Sequence, residues 1–447
     1  MTYFNKLVNF WFVITAFMII TSASIFISWQ DHVRISVILI NVLNMILFFL
    51  VLKYTLVELS DAQLKSSRLI ALISTFSVIF LIAFKTLYFV ETNSFFEFSA
   101  RDSLEYHMIA MGIVEDSNLI RALINSINYD YQLDDLGAVF ATVVAYIFYP
   151  SPIMFNVLNI LAGLITANSV FRLSMYYMNR RHAFTCSLAF GISSFYVYFH
   201  STGMKEVIFT MLVVLAFEKL LGYLMDGKGR NLVHALFYGG SIFFFRPVVM
   251  IMMLISLVLG ILLSRGKNVA AYLLLASLLI LIGIMGNDLY SIGSSISISK
   301  VVVAEKQNLT PNLFNYLSAF LASIIGPLPS YVPIEGREQQ AFYSLGLGLR
   351  MLLAAYSILG VFAILKKRDI FLIAIVCFTI IEMFALALIL ESFELRYSMP
   401  HLPFVYFIAF YYFFEVHEKP YASKHRLIHL LNGGVVFSLI IAWNMRF

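Results

Sequence analysis

Charge is what this chain lacks most. Only 12% of its 447 residues are Asp, Glu, Lys or Arg, while 61% are hydrophobic. A soluble domain carries about 25% charged residues, so a water-soluble fold is excluded, and the mean hydropathy of +0.88 agrees. Cysteine is nearly absent too. Cys186 and Cys377 both fall inside apolar segments, which argues against a disulfide framework or a cysteine metal site. The net charge of +5 is spread over short loops rather than gathered in a tract. That argues against a nucleic-acid partner and for topology signals beside anionic membrane lipid. No internal repeat or low-complexity tract stands out.

What the chain has instead is long apolar runs. A span needs roughly 20 apolar residues, and candidates fall at Val8–Ser28, Ile35–Val51, Leu69–Phe84, Ile153–Val170, Ala183–Tyr198, Val207–Leu224 and Leu232–Phe245. They continue at Val248–Leu263, Val269–Met285, Met351–Leu365, Ile370–Leu390, Pro403–Phe414 and Leu427–Trp443. The first run has no small-residue cleavage site after it and is expected to be a retained helix.

Leu136–Phe148 decides the topology. It is apolar but short of a span, and if it crossed, Arg172, Arg180 and Arg181 would lie outside and every later loop would break the positive-inside rule. Placed along the interface, it leaves Lys65/Arg68, Arg172/Arg180/Arg181, Lys228/Arg230, Arg265/Lys267, Lys366/Lys367/Arg368 and Lys424/Arg426 all cytoplasmic. The expectation is an all-α polytopic membrane protein of about thirteen spans, N-terminus inside, built as a single membrane domain. Residues 1–68 form an N-terminal helical hairpin, 69–414 a core with external loops at 85–152 and 286–350, and 415–447 a cytoplasmic loop and last helix.

The first external loop carries the chemistry. Nine carboxylates (Glu91, Glu97, Asp102, Glu105, Glu115, Asp116, Asp130, Asp134 and Asp135) stand there against Lys85, Arg101 and Arg121. Asp102, Glu105 and Tyr106 are spaced to share one helix face, with His107 adjacent. A carboxylate held there can serve as general base toward an acceptor hydroxyl; the alternative is an acidic loop that merely stays solvated. Further along, Lys205-Glu206 opens a span at the external side, either as binding residues or as a snorkelling lysine beside a helix-capping acid. Arg246-Pro247 interrupts an apolar stretch, where a charge is costly unless paired or used. Arg396-Tyr397 stands at another external boundary, where an arginine holds a phosphate through two parallel bonds or pairs with Glu391 or Glu394. Arg337, in the second long loop after the prolines at 327, 329 and 333, is a further binding candidate. Glu382, inside a span, is expected to turn inward and pair.

These pieces resemble the C-type (GT-C fold) membrane glycosyltransferases over about residues 69–414. The matching parts are the acidic motif Asp102-Ser103-Leu104-Glu105-Tyr106-His107, the interfacial Leu136–Phe148, the basic turn Asn179-Arg180-Arg181 and the late Arg396-Tyr397-Ser398-Met399-Pro400. Two departures are Glu206 where many relatives show aspartate, and no soluble C-terminal domain. With two long external loops, the chain is similar to bacterial O-antigen and capsule repeat-unit polymerases. The resemblance implies transfer from a polyprenyl-phosphate-linked saccharide donor to a saccharide or lipid-linked acceptor at the outer face of a bacterial inner membrane. Asp102, Glu105 and His107 are the catalytic candidates, and Tyr106, Lys205, Glu206, Arg246, Arg337, Arg396 and Tyr397 the substrate-binding ones. No metal or cofactor is expected. Single-sugar transfer, a lipid-linked oligosaccharide flippase and a non-catalytic assembly subunit are the competing readings.

Overall fold

The computed structural model describes residues 8–9, 11–13, 15–16, 19, 32–57, 59–97, 101–115, 118, 121, 124–125, 135–264, 324–326, 328–330, 339–389, 395–416 and 431–440. The described residues are helical and include no strand. That is the outcome the composition demands, because a helix satisfies its backbone hydrogen bonds within itself where lipid offers none. In chain order the helices are α1 His32–Val57, α2 Ser66–Thr92, α3 Arg101–Glu115, α4 Leu136–Phe148 and α5 Pro152–Met175. Next come α6 Arg180–Gly191, α7 Ser194–His200, α8 Glu206–Asp226, α9 Gly229–Ile242 and α10 Pro247–Ser264. Later in the chain come α11 Gln339–Lys367, α12 Ile370–Ile389 and α13 Leu402–Tyr411. Among the described residues five helices are long and apolar enough to cross a membrane: those at Ser66–Val90, Pro152–Met175, Glu206–Asp226, Pro247–Ser264 and Gln340–Lys367. The chain is therefore a helical membrane protein.

Helix ends follow local chemistry. Ser151 caps α5, its side chain accepting from the Ile153 N–H at 3.3 Å, with Pro152 in the first turn where its missing N–H costs nothing. Asn179 caps α6 by accepting from the His182 N–H at 3.0 Å. Asp369 does the same for α12, accepting from the Leu372 N–H at 2.9 Å.

Polar contacts divide the bundle into two ends. At one, Lys85 donates to the Phe95 carbonyl at 2.7 Å, Ser103 bonds Glu97, and Arg246 meets Glu206. At the other, Arg181 donates to the Leu59 carbonyl at 2.9 Å, Arg172 pairs with Glu218 at 3.2 Å, and Tyr177 donates to Asp369 at 3.2 Å. Helices α5 and α8 pack together and run between the two. Helix α4 does not. Asp135, just before it, reaches Lys205, while its Thr142 and Tyr146 line a small cavity with Pro152, Asn156 and Gly203. Both halves of α4 thus meet the same end, and its length of about 20 Å falls short of the hydrocarbon core.

Three sequence boundaries need correction. The run Ala183–Tyr198 is two helices, α6 and α7, broken at Ile192-Ser193; an apolar run by itself does not reveal such a break. The loop assigned to 286–350 ends earlier, because α11 already starts at Gln339. Residues 341–350 are buried there against α7 and α1, including the arginine whose charge had suggested a loop. The loop assigned to 85–152 starts later, because α2 runs on to Thr92; the expected Pro403–Phe414, by contrast, is met by α13 with the π-helical turn Tyr412–Val416 that continues it. The candidate span Val269–Met285 lies wholly, and Val8–Ser28 largely, outside the described residues; of Leu427–Trp443, Leu431–Ile440 is described as an apolar helix.

Candidate functional site

Two asparagines build the floor of the site. Asn156 and Asn159 lie three residues apart on one face of α5. Asn156 Nδ2 donates to the Thr202 carbonyl at 2.7 Å, and Asn159 Nδ2 donates to the carbonyls of Thr202 and Met204 at 3.0 and 3.1 Å. The turn that follows α7 is thereby fixed to α5. It is also pressed against α3, since a Cβ on Gly203 would collide with Ser103. Lys205 and Glu206 arrive at the start of α8 in a set position, the carboxylate in a first turn whose dipole favours it.

Neither residue is a solvated cap. Both are buried, Lys205 pairing with Asp135 and Glu206 with Arg246 at 3.3 Å. Tyr106 donates to the same Asp135 oxygen at 2.5 Å, so α3, α4 and α8 are tied through one carboxylate. Burial first, then the nearby Asp135, pushes the Tyr106 phenol well above its ordinary range, which keeps it a proton donor.

Two turns close the site. Arg246 sits between α9 and α10, its guanidinium 4.0 Å from the ring centre of Tyr397 and 5.4 Å from that of Phe209. Arg396 lies on the single helical turn Leu395–Ser398 and pairs with Asp102 in the first turn of α3. It also donates toward Met204 Sδ at 3.6 Å and the Tyr397 hydroxyl at 3.4 Å. Tyr397 therefore faces two guanidinium groups.

Exposure separates the two carboxylates that face arginine. The Asp102 side chain is 35% exposed and Glu206 only 2%. Asp102 is within reach of solvent; Glu206, with one oxygen lacking a hydrogen bond among the described residues, is suited to holding Arg246.

The structure gathers Asp102, Tyr106, Lys205, Glu206, Arg246, Arg396 and Tyr397 through these contacts. It does not gather all the candidates. Glu105 is exposed, with no hydrogen bond or ion pair among the described residues. His107 turns to the Tyr146 hydroxyl, 2.6 Å from its Nδ1, and packs against Phe96; burial lowers its pKa. Tyr106 is spent on Asp135 and offers little surface to a ligand. Arg337, Glu391 and Glu394 lie outside the described residues.

Sequence reasoning missed Asp135 and Arg350 as parts of the assembly. Asp135 stands beside Asp134 in an acidic loop, and only its position directly before an apolar helix marked it. Arg350 is fully buried in α11, donating to Ser398 Oγ at 2.8 Å and bonding His401 Nε2 at 3.1 Å, beneath the turn that carries Arg396. Glu382 does face inward as expected, its Oε2 3.3 Å from His401 Nδ1. No family model, curated protein or solved structure matches the chain, so the likeness to C-type glycosyltransferases rests on these residues alone.

Proposed function

We propose that this chain is a membrane glycosyltransferase that uses a polyprenyl-phosphate-linked saccharide donor at the outer face of a bacterial inner membrane. Within that class we favour a surface-polysaccharide polymerase of about thirteen spans with its N-terminus inside. The observation that carries the reading is the Asp102–Arg396 pair. It joins the one reachable carboxylate of the cluster to an arginine at the same end as the interfacial helix α4.

The chemistry is a single displacement. The acceptor oxygen forms a bond to the sugar's anomeric carbon while the bond from that carbon to the donor phosphate oxygen breaks. The electron pair leaves with the lipid phosphate, and the acceptor's proton goes to Asp102. Arg396 stabilises the leaving charge through its planar fork, supported by Arg246 and Lys205. Arg396 is held by Asp102, so donor binding exchanges phosphate for carboxylate on the arginine and frees the base. Glu105, exposed one turn along α3, is free to orient the acceptor; His107, committed to Tyr146, supports α3 against α4.

The test is the lipid-linked saccharide that accumulates in a deletion strain. A single complete repeat unit at the outer face is the expected result. A truncated unit identifies single-sugar transfer instead, and complete units trapped inside identify a flippase; either outcome overturns the polymerase reading.

A further inference from the structure

Beneath the candidate site lies a group of charged and polar side chains that the chemistry above does not use. Arg350, Glu382, Ser398 and His401 come from α11, α12 and the segment between α12 and α13, and all four are buried. Arg350 reaches two residues at once, Nη1 donating to Ser398 Oγ at 2.8 Å and Nη2 lying 3.1 Å from His401 Nε2. An arginine only donates, so His401 Nε2 is the acceptor and the ring proton sits on Nδ1. That nitrogen is 3.3 Å from Glu382 Oε2. Among the described residues His401 Nδ1 and Glu382 Oε2 have no other hydrogen-bond partner, so each is the other's natural complement.

The orientation of Arg350 is fixed from behind as well. Gly326 adopts φ +87°, and a Cβ there would stand 3.0 Å from Arg350 Cδ. A glycine is needed both for that backbone conformation and for the passage of the arginine stem. Glu382 in turn lies within electrostatic reach of Arg246 as well as Arg350. The group thus meets the site at the Leu395–Ser398 turn through Ser398, with Glu382 near enough to Arg246 to feel its charge.

We propose that Arg350, His401 and Glu382 form a buried clamp that sets the position of the Leu395–Ser398 turn, making them positioning residues for Arg396 and Tyr397. The reason is geometric. The turn has few residues and no long helix of its own, yet it must hold one guanidinium on Asp102 and one aromatic ring beside Arg246. Two hydrogen bonds from one rigid, planar fork fix both Ser398 and His401, at either side of Met399-Pro400. The role in catalysis rests on the transferase reading above; the clamp itself does not.

The test uses the full-length protein in detergent with Asp102→Cys and Arg396→Cys, bridged by a short bifunctional thiol reagent. These substitutions remove the surface ion pair and leave the clamp and the Tyr397 ring against Arg246 to hold the turn, and both native cysteines are buried. Adding Arg350→Lys keeps the buried charge but loses the fork, and the cross-linking yield is expected to fall severalfold. Glu382→Leu, which removes the oxygen that faces His401 Nδ1, is expected to do the same. An unchanged yield in both, with normal heat stability, overturns the clamp. If a single variant fails to fold, the charge-balanced pair Arg350→Met with Glu382→Gln restores a folded chain. In that chain a low yield supports the clamp, and a restored yield overturns it. Because the readout needs no substrate, a fallen yield in the variants, beside an unsubstituted protein that transfers no sugar, keeps the clamp and sinks the transferase reading.

Discussion

Asp102→Asn keeps the size of the side chain and its capacity to hydrogen-bond but removes the charge facing Arg396. The structure sets three magnitudes for it. The pair is partly exposed, at 35% and 21%. Its contribution to folding is therefore that of a screened surface pair, about 1 kcal/mol or less, and the protein should insert and accumulate normally. Transfer should fall far more, because a general base contributes about 10²–10⁴-fold, equivalent to about 3–5 kcal/mol of barrier. Affinity for a polyprenyl phosphate should move the other way. Arg396 no longer has to leave a carboxylate, and recovering up to about 1 kcal/mol tightens binding up to about fivefold. The assays are a surface-polysaccharide ladder, in vitro transfer, and lipid-phosphate binding to purified protein. Glu115→Gln, exposed at the far end of α3, is the control. Normal polysaccharide from Asp102→Asn would falsify the assignment of this residue as the base, and weaker phosphate binding would refute the exchange on Arg396.

Arg396→Lys keeps the charge and loses the planar fork, so turnover should drop about 10²-fold at normal protein level; full activity would leave only a structural ion pair. Arg180→Cys should resist an impermeant external thiol reagent and Glu115→Cys should react, both positions being exposed on the protein; labelling of both reverses the topology. His107 titrates below its ordinary value because it is partly buried. The unfolded chain therefore takes up the proton first, and stability should decline as pH drops through about 6.5. Melting curves between neutral and mildly acid pH should show that decline, smaller in His107→Gln; an identical decline in both shows that His107 does not contribute it.

Much of this was readable because charge in an apolar chain is expensive and therefore local. Arg246, Glu206 and Arg396 each interrupt or border an apolar run, and each is found in an ion pair at one end of the bundle. The limits Leu136–Phe148 recur as α4 because a strongly apolar helix bounded by Asp135 and Pro150 has clear ends. Partners were less legible. Nothing local says that Arg396 meets Asp102 rather than Glu391 or Glu394, since that pairing spans most of the chain and depends on how α3 lies across the bundle. The break between α6 and α7 carries no charge, and only the small residues Gly191, Ser193 and Ser194 mark it. Arg350 was misread for the opposite reason: a charge at the edge of an apolar run looks like the end of a helix when its buried partners are fifty residues away.

The three cations Lys205, Arg246 and Arg396 each face a carboxylate, Asp135, Glu206 and Asp102 respectively. That balance bears on which kind of protein this is. A permanent anion-binding surface gains by leaving cations uncompensated, since every carboxylate nearby weakens its hold on phosphate. Holding three matched pairs at the boundary of a bundle avoids the desolvation cost of lone charges, but it makes anion binding an exchange. For a protein that only carries or tethers a lipid phosphate, that exchange is a loss of affinity with no return. For a transferase the displaced partner is useful, because the carboxylate released from Arg396 is the same exposed Asp102 that can accept the acceptor's proton. The deep pairs serve differently: Lys205 on Asp135 and Arg246 on Glu206 are too buried to exchange readily and keep the cluster in place while the outer pair opens.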